Sequence, residues 1–220
     1  MKDRTLSLFY LREFFGLREI HLPAAKDRTR LLSLLAEAAE GCARCPLSSE
    51  RKRSVFGSGN PYARLLLVGE GPGREEDKAG KPFVGKAGEL LTKFLSEIGI
   101  DRERDVYITN VVKCRPPENR DPLAPEISAC FRFLKAQIDI VSPDLILALG
   151  RVSSRTLLGL PLEERASMEP LRGKIHRSIL GPPLIVTYHP AYIARNEARS
   201  ELAIAARKDF ALVASVMGWR

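Results

Sequence analysis

No stretch of this chain is apolar for long enough to form a signal-peptide core or a membrane span. In the N-terminal segment MKDRTLSLFYLREFFGLREI, Asp3, Arg4, Arg12 and Glu13 break up the apolar residues. A cytoplasmic location is therefore expected. Cysteine is scarce, with four residues in 220, and in an intracellular chain of this size four thiols suit a metal site better than a disulfide framework. The chain lacks an internal repeat, a low-complexity tract and a charge run long enough to serve as a linker, so one main domain is expected. It also lacks the usual phosphate-binding loops. GEGPG, residues 69–73, does not have the G-x-G-x-x-G spacing, and there is no Walker A lysine motif. Glu75, Glu76 and Asp77 follow at once and would repel a nucleotide's phosphates unless a metal intervened.

What is present is a hydrophobic content of 45%, enough to bury one sizeable core, and a basic balance. Thirty-five Lys and Arg against twenty-seven Asp and Glu give a formal charge of +8, which favours a polyanionic partner. On charge alone, a merely basic soluble protein fits as well.

Four apolar segments read as buried strands: Leu65 to Val68, residues 105–112 (DVYITNVV), 144–150 (DLILALG) and 183–189 (PLIVTYH). Between and around them, helical spacing recurs at about 24–40, in KAGELLTKFLSEIGI, in EISACFRFLKAQIDIV, in RVSSRTLLGL and in AIAARKDFALVASVMG. A further amphipathic helix is expected over residues 5–20. The connector SSERKRSVFGSGNPYA reads as polar loop, and the stretch PLEERASMEPLRGKIHRSILGPP reads as irregular or hairpin-like. Strands alternating with helices imply an α/β fold, a three-layer α/β/α sandwich with a four-stranded parallel sheet. In such folds ligands sit beyond the carboxyl ends of the strands. Those ends carry Glu70 and Gly71, Asn110, Gly150 and His189, so separate short motifs can converge on one cleft.

Each of these residues has a plain structural reading beside a functional one. Phe83, between prolines and glycines, is either a core anchor or a platform on which a base can stack. Asn110 is a turn cap or a base reader, because its carboxamide offers a donor and an acceptor that match the edge of a nucleobase. His189, opening HPAY at a strand end, can donate a hydrogen bond to a developing anion. Arg74, Glu75 and Asp77 read as the start of a helix or a solvated loop. Cys42-x-x-Cys45 is half of a four-thiolate site, and Cys114 and Cys130 complete it. Two matched Cys-x-x-Cys knuckles would be the zinc signature, whereas this wide spacing suits an iron-sulfur cubane. With no open ligand position, the role of such a centre is structural. Arg44, Arg51, Lys52, Arg53, Lys113, Arg115 and Arg120 lie near these cysteines in sequence, and a basic rim facing DNA phosphates is expected of them.

Taken together, GEGPG-x-EED, KPFVGKAG, YITNVVKCRPPENR, HPAY and the four spaced cysteines resemble the family 4, iron-sulfur type of uracil-DNA glycosylase over about residues 36–196. The resemblance implies a 4Fe-4S cluster on Cys42, Cys45, Cys114 and Cys130, and hydrolysis of the N-glycosidic bond of deoxyuridine in single- or double-stranded DNA. It places Glu70 and Gly71 in the uracil pocket and water site, Phe83 on the face of the flipped base, and Asn110 on its edge. Asn119 matches a catalytic asparagine, His189 stabilises the departing uracil anion, and residues 191–195 form the loop that fills the duplex. Glu70 and Asn119 are both candidates for positioning water. The related type that crosslinks to its abasic product carries a basic loop ending in histidine. CRPPENRDPLAP has none, so ordinary turnover by a monomer is expected. Residues 1–23 read as an extension without assigned role ahead of a glycosylase domain over 24–220. The rival readings are a catalytically silent nucleic-acid-binding iron-sulfur protein and a zinc-bearing nucleotide-binding domain.

Overall fold

The computed structural model describes residues 27–162, 167–196 and 198–219. The expected helix over residues 5–20 and the extension over 1–23 lie outside them. Helices α1 (Arg28–Glu40), α2 (Arg74–Ala79), α3 (Lys86–Glu97), α4 (Ala124–Val141), α5 (Arg151–Leu158), α6 (Pro190–Arg195) and α7 (Ser200–Met217) surround strands β1 (Ser58–Gly59), β2 (Leu65–Gly69), β3 (Val106–Asn110), β4 (Leu145–Leu149), β5 (Ile175–Arg177) and β6 (Pro183–Thr187). The strands form one six-stranded sheet in the order β1-β3-β2-β4-β6-β5.

The four expected strands are its parallel centre, β3-β2-β4-β6. The expectation of four strands is corrected at both edges, where β1 pairs antiparallel with β3 and β5 with β6. These edge strands have two and three residues, too short to show an alternating pattern within segments that otherwise read as loop. A second difference concerns HPAY, where residues 190–195 form a short helix opened by His189 and Pro190 rather than a loop.

Alternate residues of the central strands face opposite layers, as the two-residue period requires. Leu66, Val68, Ile146, Ala148 and Val186 pack with Leu32 and Leu35 of α1, Phe133 and Leu134 of α4 and Val152 of α5. Leu65, Leu67, Leu145, Leu147 and Ile185 pack on the other face with Leu91 and Phe94 of α3 and Phe210 and Val213 of α7. This accounts for the continuous apolar runs, because both faces of each central strand are covered. Strand β2 is followed in sequence by β3 on one side and has β4 on the other. The crevice at such a switch point is where an open α/β sheet admits a ligand.

The layering generates a stability prediction. Leu147 is fully buried while Ile175 on β5 is 53% exposed. Leu147→Ala should cost about 2–5 kcal/mol, and Ile175→Ala should stay within about 0.5 kcal/mol. Urea unfolding of the two variants at unchanged m-value measures the contrast.

Candidate active site

Beyond the carboxyl ends of β2, β4 and β6 opens a cleft of about 770 Å³, lined among others by Glu70, Gly71, Phe83, Asn119, Gly150 and His189. Residues from four separate expected motifs therefore meet in one place. Asn110 lies directly behind the wall, 1% exposed, and the register of β2 with β3 sets it opposite Gly69. Neither its Nδ2 nor its Oδ1 has a hydrogen-bond partner among the described residues. A buried carboxamide left this way costs about 1–3 kcal/mol for each group, and a ligand presenting complementary polar atoms would remove that cost. The turn-capping reading of Asn110 is excluded, since a cap would use one of these atoms.

Phe83 closes the space in front of this amide. A Cβ on Gly69 would come within 2.2 Å of Asn110 Oδ1 and 2.7 Å of Phe83 Cζ, so position 69 has no room for a side chain. The Phe83 ring lies 27° from the plane of His189, with centroids 5.5 Å apart. Its backbone sits at φ +51°, a conformation unfavourable for a bulky residue, so neighbouring groups must hold it there. Glu76 does so with one carboxylate, accepting from the Phe83 and Gly73 backbone N–H groups. Burial pushes the Glu76 carboxyl pKa up, and those two donors pull it down. On the far side, Arg102 Nη2 donates to the Pro82 carbonyl at 2.7 Å. Gly88 is also required here, because a Cβ would fall 1.8 Å from the Phe83 carbonyl oxygen. The bracing role of Glu76 has no sequence signal beyond its place among three acids. The neighbouring acids are structural: Asp77 accepts from the Lys52 N–H at 2.9 Å, and Glu75 pairs with Lys78.

His189 caps α6 with its ring, Nδ1 accepting from the Ala191 N–H at 3.1 Å. That bond fixes the tautomer, leaving Nε2 as the proton-bearing nitrogen. Burial, with the nearby charge of Arg195, pulls its pKa down to about 4, so at neutral pH the ring is an uncharged donor. Glu70 follows β2, and burial together with the charge of Asp121 raises its pKa to about 7. Arg151 at the start of α5 pairs with Asp121. Asp121 and Arg151 line the cleft but gave no motif, because their contact joins residues 30 positions apart, in a proline-rich loop and a helix start. Gly71 lines the cleft against Val112 and Pro116. Asn119 does so too, at φ +54°, with its Oδ1 accepting from Arg115 Nε at 2.7 Å.

Cys42, Cys45, Cys114 and Cys130 line a second, smaller pocket together with Arg51 and Lys113. Arg51 Nη1 donates to Cys114 Sγ at 3.0 Å and to the Cys42 carbonyl at 3.0 Å, and the Lys113 N–H reaches Cys130 Sγ at 3.3 Å. Burial raises the Cys130 thiol pKa to about 11. Among the described residues no three His, Cys, Asp or Glu side chains stand close enough to hold a single metal ion.

The expected basic rim requires correction at Lys113 and Arg51. Lys113 is 1% exposed, its ammonium donating to Asn110 O at 2.6 Å, Gln137 Oε1 at 2.6 Å and Thr109 Oγ1 at 2.8 Å, so it cannot meet phosphates. Arg51 is turned to the thiol pocket, and Arg120 forks onto Glu126 at 2.6 and 2.8 Å. Arg120 nonetheless lines the cleft, as do Arg74, Lys86, Arg151, Arg195 and Arg199.

Residues 56–211 match the model of the uracil DNA glycosylase superfamily. Over 169 residues the chain is 48% identical to the type-4 uracil-DNA glycosylase of Thermotoga maritima, covering 77% of this chain and 86% of that protein. Over 185 residues it is 43% identical to the type-4 uracil-DNA glycosylase of Pyrobaculum aerophilum, covering 82% and 92%. The chain belongs to the type-4 uracil-DNA glycosylases. The type-5 uracil-DNA glycosylase of Thermus thermophilus is more distant from this glycosylase, 34% identical over 152 residues.

Because Gly69 carries the close approach between Asn110 and Phe83, Gly69→Ala should displace the amide or the ring while leaving the sheet in place. Uracil release should fall by on the order of 100-fold, with the far-ultraviolet circular dichroism spectrum unchanged. Single-turnover cleavage of a uracil oligonucleotide reads the loss.

Proposed function

We propose that this uracil-DNA glycosylase hydrolyses the N-glycosidic bond of deoxyuridine after flipping the nucleotide into the cleft, with Asn110 reading the base. The observation that carries the proposal is the buried Asn110 carboxamide, whose donor and acceptor are both unused among the described residues. Uracil presents an acceptor at O4 and a donor at N3, which this amide satisfies in one orientation. Phe83 supplies the aromatic face, held by Glu76 and the Gly88 approach, and Gly71 leaves the backbone open to the base. Unstacking the base costs a few kcal/mol, offset by these contacts.

As the C1′–N1 bond breaks, its electron pair moves onto uracil and reaches O2, where His189 Nε2–H donates a hydrogen bond. A neutral donor suits this task, because the charge it meets exists only as the bond breaks. The attacking water forms the C1′–O bond and gives up a proton. Of the two candidates for positioning that water, only Glu70 can take the proton, once ionised, because a carboxamide is not a base; Asn119, its Oδ1 accepting from Arg115, lines the approach. Arg74, Lys86, Arg195 and Arg199 offer contacts to the phosphates of the DNA substrate. In this reading residues 24–220 are the glycosylase domain, residues 1–23 an extension, and the enzyme acts as a cytoplasmic monomer. Among the described residues no helix is long and apolar enough to cross a membrane.

The four cysteines fit a 4Fe-4S cluster better than a zinc ion. A tetrahedral zinc draws four sulfurs within about 2.3 Å of one point, whereas a cubane offers a separate iron to each thiolate. Thiols that share a pocket without converging at single-ion spacing match the second arrangement. The bound cluster would supply a crosslink between the segment after α1, the loop after β3 and α4, and no step of the hydrolysis.

Two predictions follow from these assignments. In Asn110→Asp the carboxylate cannot donate to O4, so single-turnover uracil excision should fall roughly 10- to 100-fold, with weak cytosine release favoured at lower pH. Undiminished uracil excision would show that Asn110 does not read the base. For the thiol site, Cys114→Ser should lower iron and acid-labile sulfide and reduce the melting temperature, because metal binding and folding are coupled. Full iron content with unchanged melting would remove Cys114 from the ligand set.

A further inference from the structure

The loop that follows β3 holds its shape against its own backbone preferences. Glu118 and Asn119 stand in succession at φ +50° and +54°, a left-handed region that disfavours any residue with a Cβ and that asparagine tolerates better than glutamate. The bonds inside the loop are local: the Asn119 N–H donates to the Pro116 carbonyl at 3.1 Å, the Arg120 N–H to the Pro117 carbonyl at 3.0 Å, and Arg115 Nε to Asn119 Oδ1 at 2.7 Å in an exposed contact. Backbone of this kind persists only where surrounding structure over-determines it. The restraint comes from α4. Arg120 Nη2 donates to Glu126 Oε1 at 2.6 Å and Nη1 to Glu126 Oε2 at 2.8 Å, the two-bond fork in which a guanidinium matches a carboxylate. Arg120 Nη1 also donates to the Asp121 carbonyl at 2.9 Å, and Glu126 Oε2 accepts from the Leu123 N–H at 2.7 Å. Only 3% of the Glu126 side chain is exposed, so this pair is fixed at its acidic end in a way that a surface ion pair is not.

We propose that Glu126 is a positioning residue for uracil excision: through its fork on Arg120 it holds residues 116–121 in the strained conformation that presents Asn119 to the cleft. The inference rests on the reading of Asn119 as lining the approach of the attacking water. Asn119 and Arg120 line the cleft and Glu126 does not, so any effect of Glu126 on the chemistry must pass through the loop. Arg120 adjoins Asn119, and a shift of the clamped residue reaches the amide across one peptide link. Once the fork is released, Glu118 and Asn119 can return to ordinary backbone, which swings the Asn119 side chain away from the water and leaves Asn110, Phe83 and His189 in place. Asp121 pairs separately with Arg151 of α5, so the loop keeps a second tether when the first is lost.

The experiment is a double-mutant cycle on single-turnover uracil excision at saturating enzyme, with wild type, Glu126→Gln, Asn119→Ala and the two combined. Glutamine retains an acceptor for the Leu123 N–H, as it does in a capping box, but sets an NH2 donor against one arm of the guanidinium. Glu126→Gln should slow excision on the order of 10-fold with no loss of DNA affinity. In the Asn119→Ala background the same change should cost less than about twofold, because the group it positions is already gone. Equal losses in the two backgrounds, no loss in either, or a loss confined to DNA affinity overturns the role of Glu126 and leaves that of Asn119 standing. An Asn119→Ala enzyme as fast as wild type overturns the reading of Asn119, and the inference with it. Arg120→Lys keeps the charge and the Glu126 cap but cannot form the fork. Taken through the same cycle, it should repeat the pattern, and it decides the question by the same outcomes if Glu126→Gln does not fold.

Discussion

The buried ammonium of Lys113 fastens the catalytic end of the sheet to the thiol pocket. It has three acceptors, on Thr109, Asn110 and Gln137, all within 2.8 Å. Leaving such a charge unpaired costs several kcal/mol, so the acceptors are held as firmly as the cation. Gln137 belongs to α4, and its Nε2 donates to the Phe56 carbonyl at 2.7 Å, which draws in the segment before β1. Its position between Asn110 and Cys114 in sequence makes Lys113 the joint between two sites. Fixing the Asn110 carbonyl orients the backbone from which its side-chain amide projects. The backbone N–H of the same residue points at Cys130 Sγ. The thiol pocket thus bears on catalysis through the rigidity of the β3 end rather than through any contact with the cleft.

The second constraint is that the Asn110 carboxamide is buried without a hydrogen-bond partner among the described residues. A protein that stacked every polar group in its core against another would satisfy Asn110 internally. Here Gly69 and the strained Phe83 deny it a neighbour on one side, and β3 holds it on the other. The site therefore carries a polar vacancy shaped by backbone, with the cost distributed over Glu76, Arg102 and Gly88, which hold Phe83 in place. On the proposed reading of Asn110, residues with no contact to the base are therefore needed for reading it. It also explains the density of glycine around the loop, since the close approaches at positions 69 and 88 tolerate no Cβ.

The parallel centre was legible because its strands are buried on both faces and read as unbroken apolar runs. So was the convergence of Glu70, Asn110 and His189, since each ends a strand and the strand ends share an edge. What escaped has a common cause. Strands β1 and β5 are defined by pairing with β3 and β6 rather than by their own pattern. Lys113 was taken for a surface cation from its basic neighbours, and only the acceptors from Gln137 and the strand end reveal it as buried. Asp121, Arg151 and Glu76 act across loops, so their roles depend on tertiary contacts that no local spacing encodes. The cysteines were legible as a set, whereas the contact of Arg51 with Cys114 spans 63 residues.

The electrostatics of the cleft give Arg195 an influence on both His189 and Glu70, the two groups that the proposed hydrolysis uses. Its charge helps to keep His189 neutral, and it opposes the rise in the Glu70 pKa. Both effects favour the deprotonated form and serve one end. A cation beside an imidazole disfavours a second cation, and beside a carboxyl it favours the anion. Were His189 charged instead, it would bind any anion in the cleft, including a stray phosphate, in the ground state. A neutral donor opposite a carboxyl poised near neutrality stores its stabilisation for the moment when uracil becomes an anion and water loses its proton. The placement of a single guanidinium on α6, the helix that His189 itself caps, lets the same short element add to the burial that keeps His189 neutral and temper the rise in the Glu70 pKa.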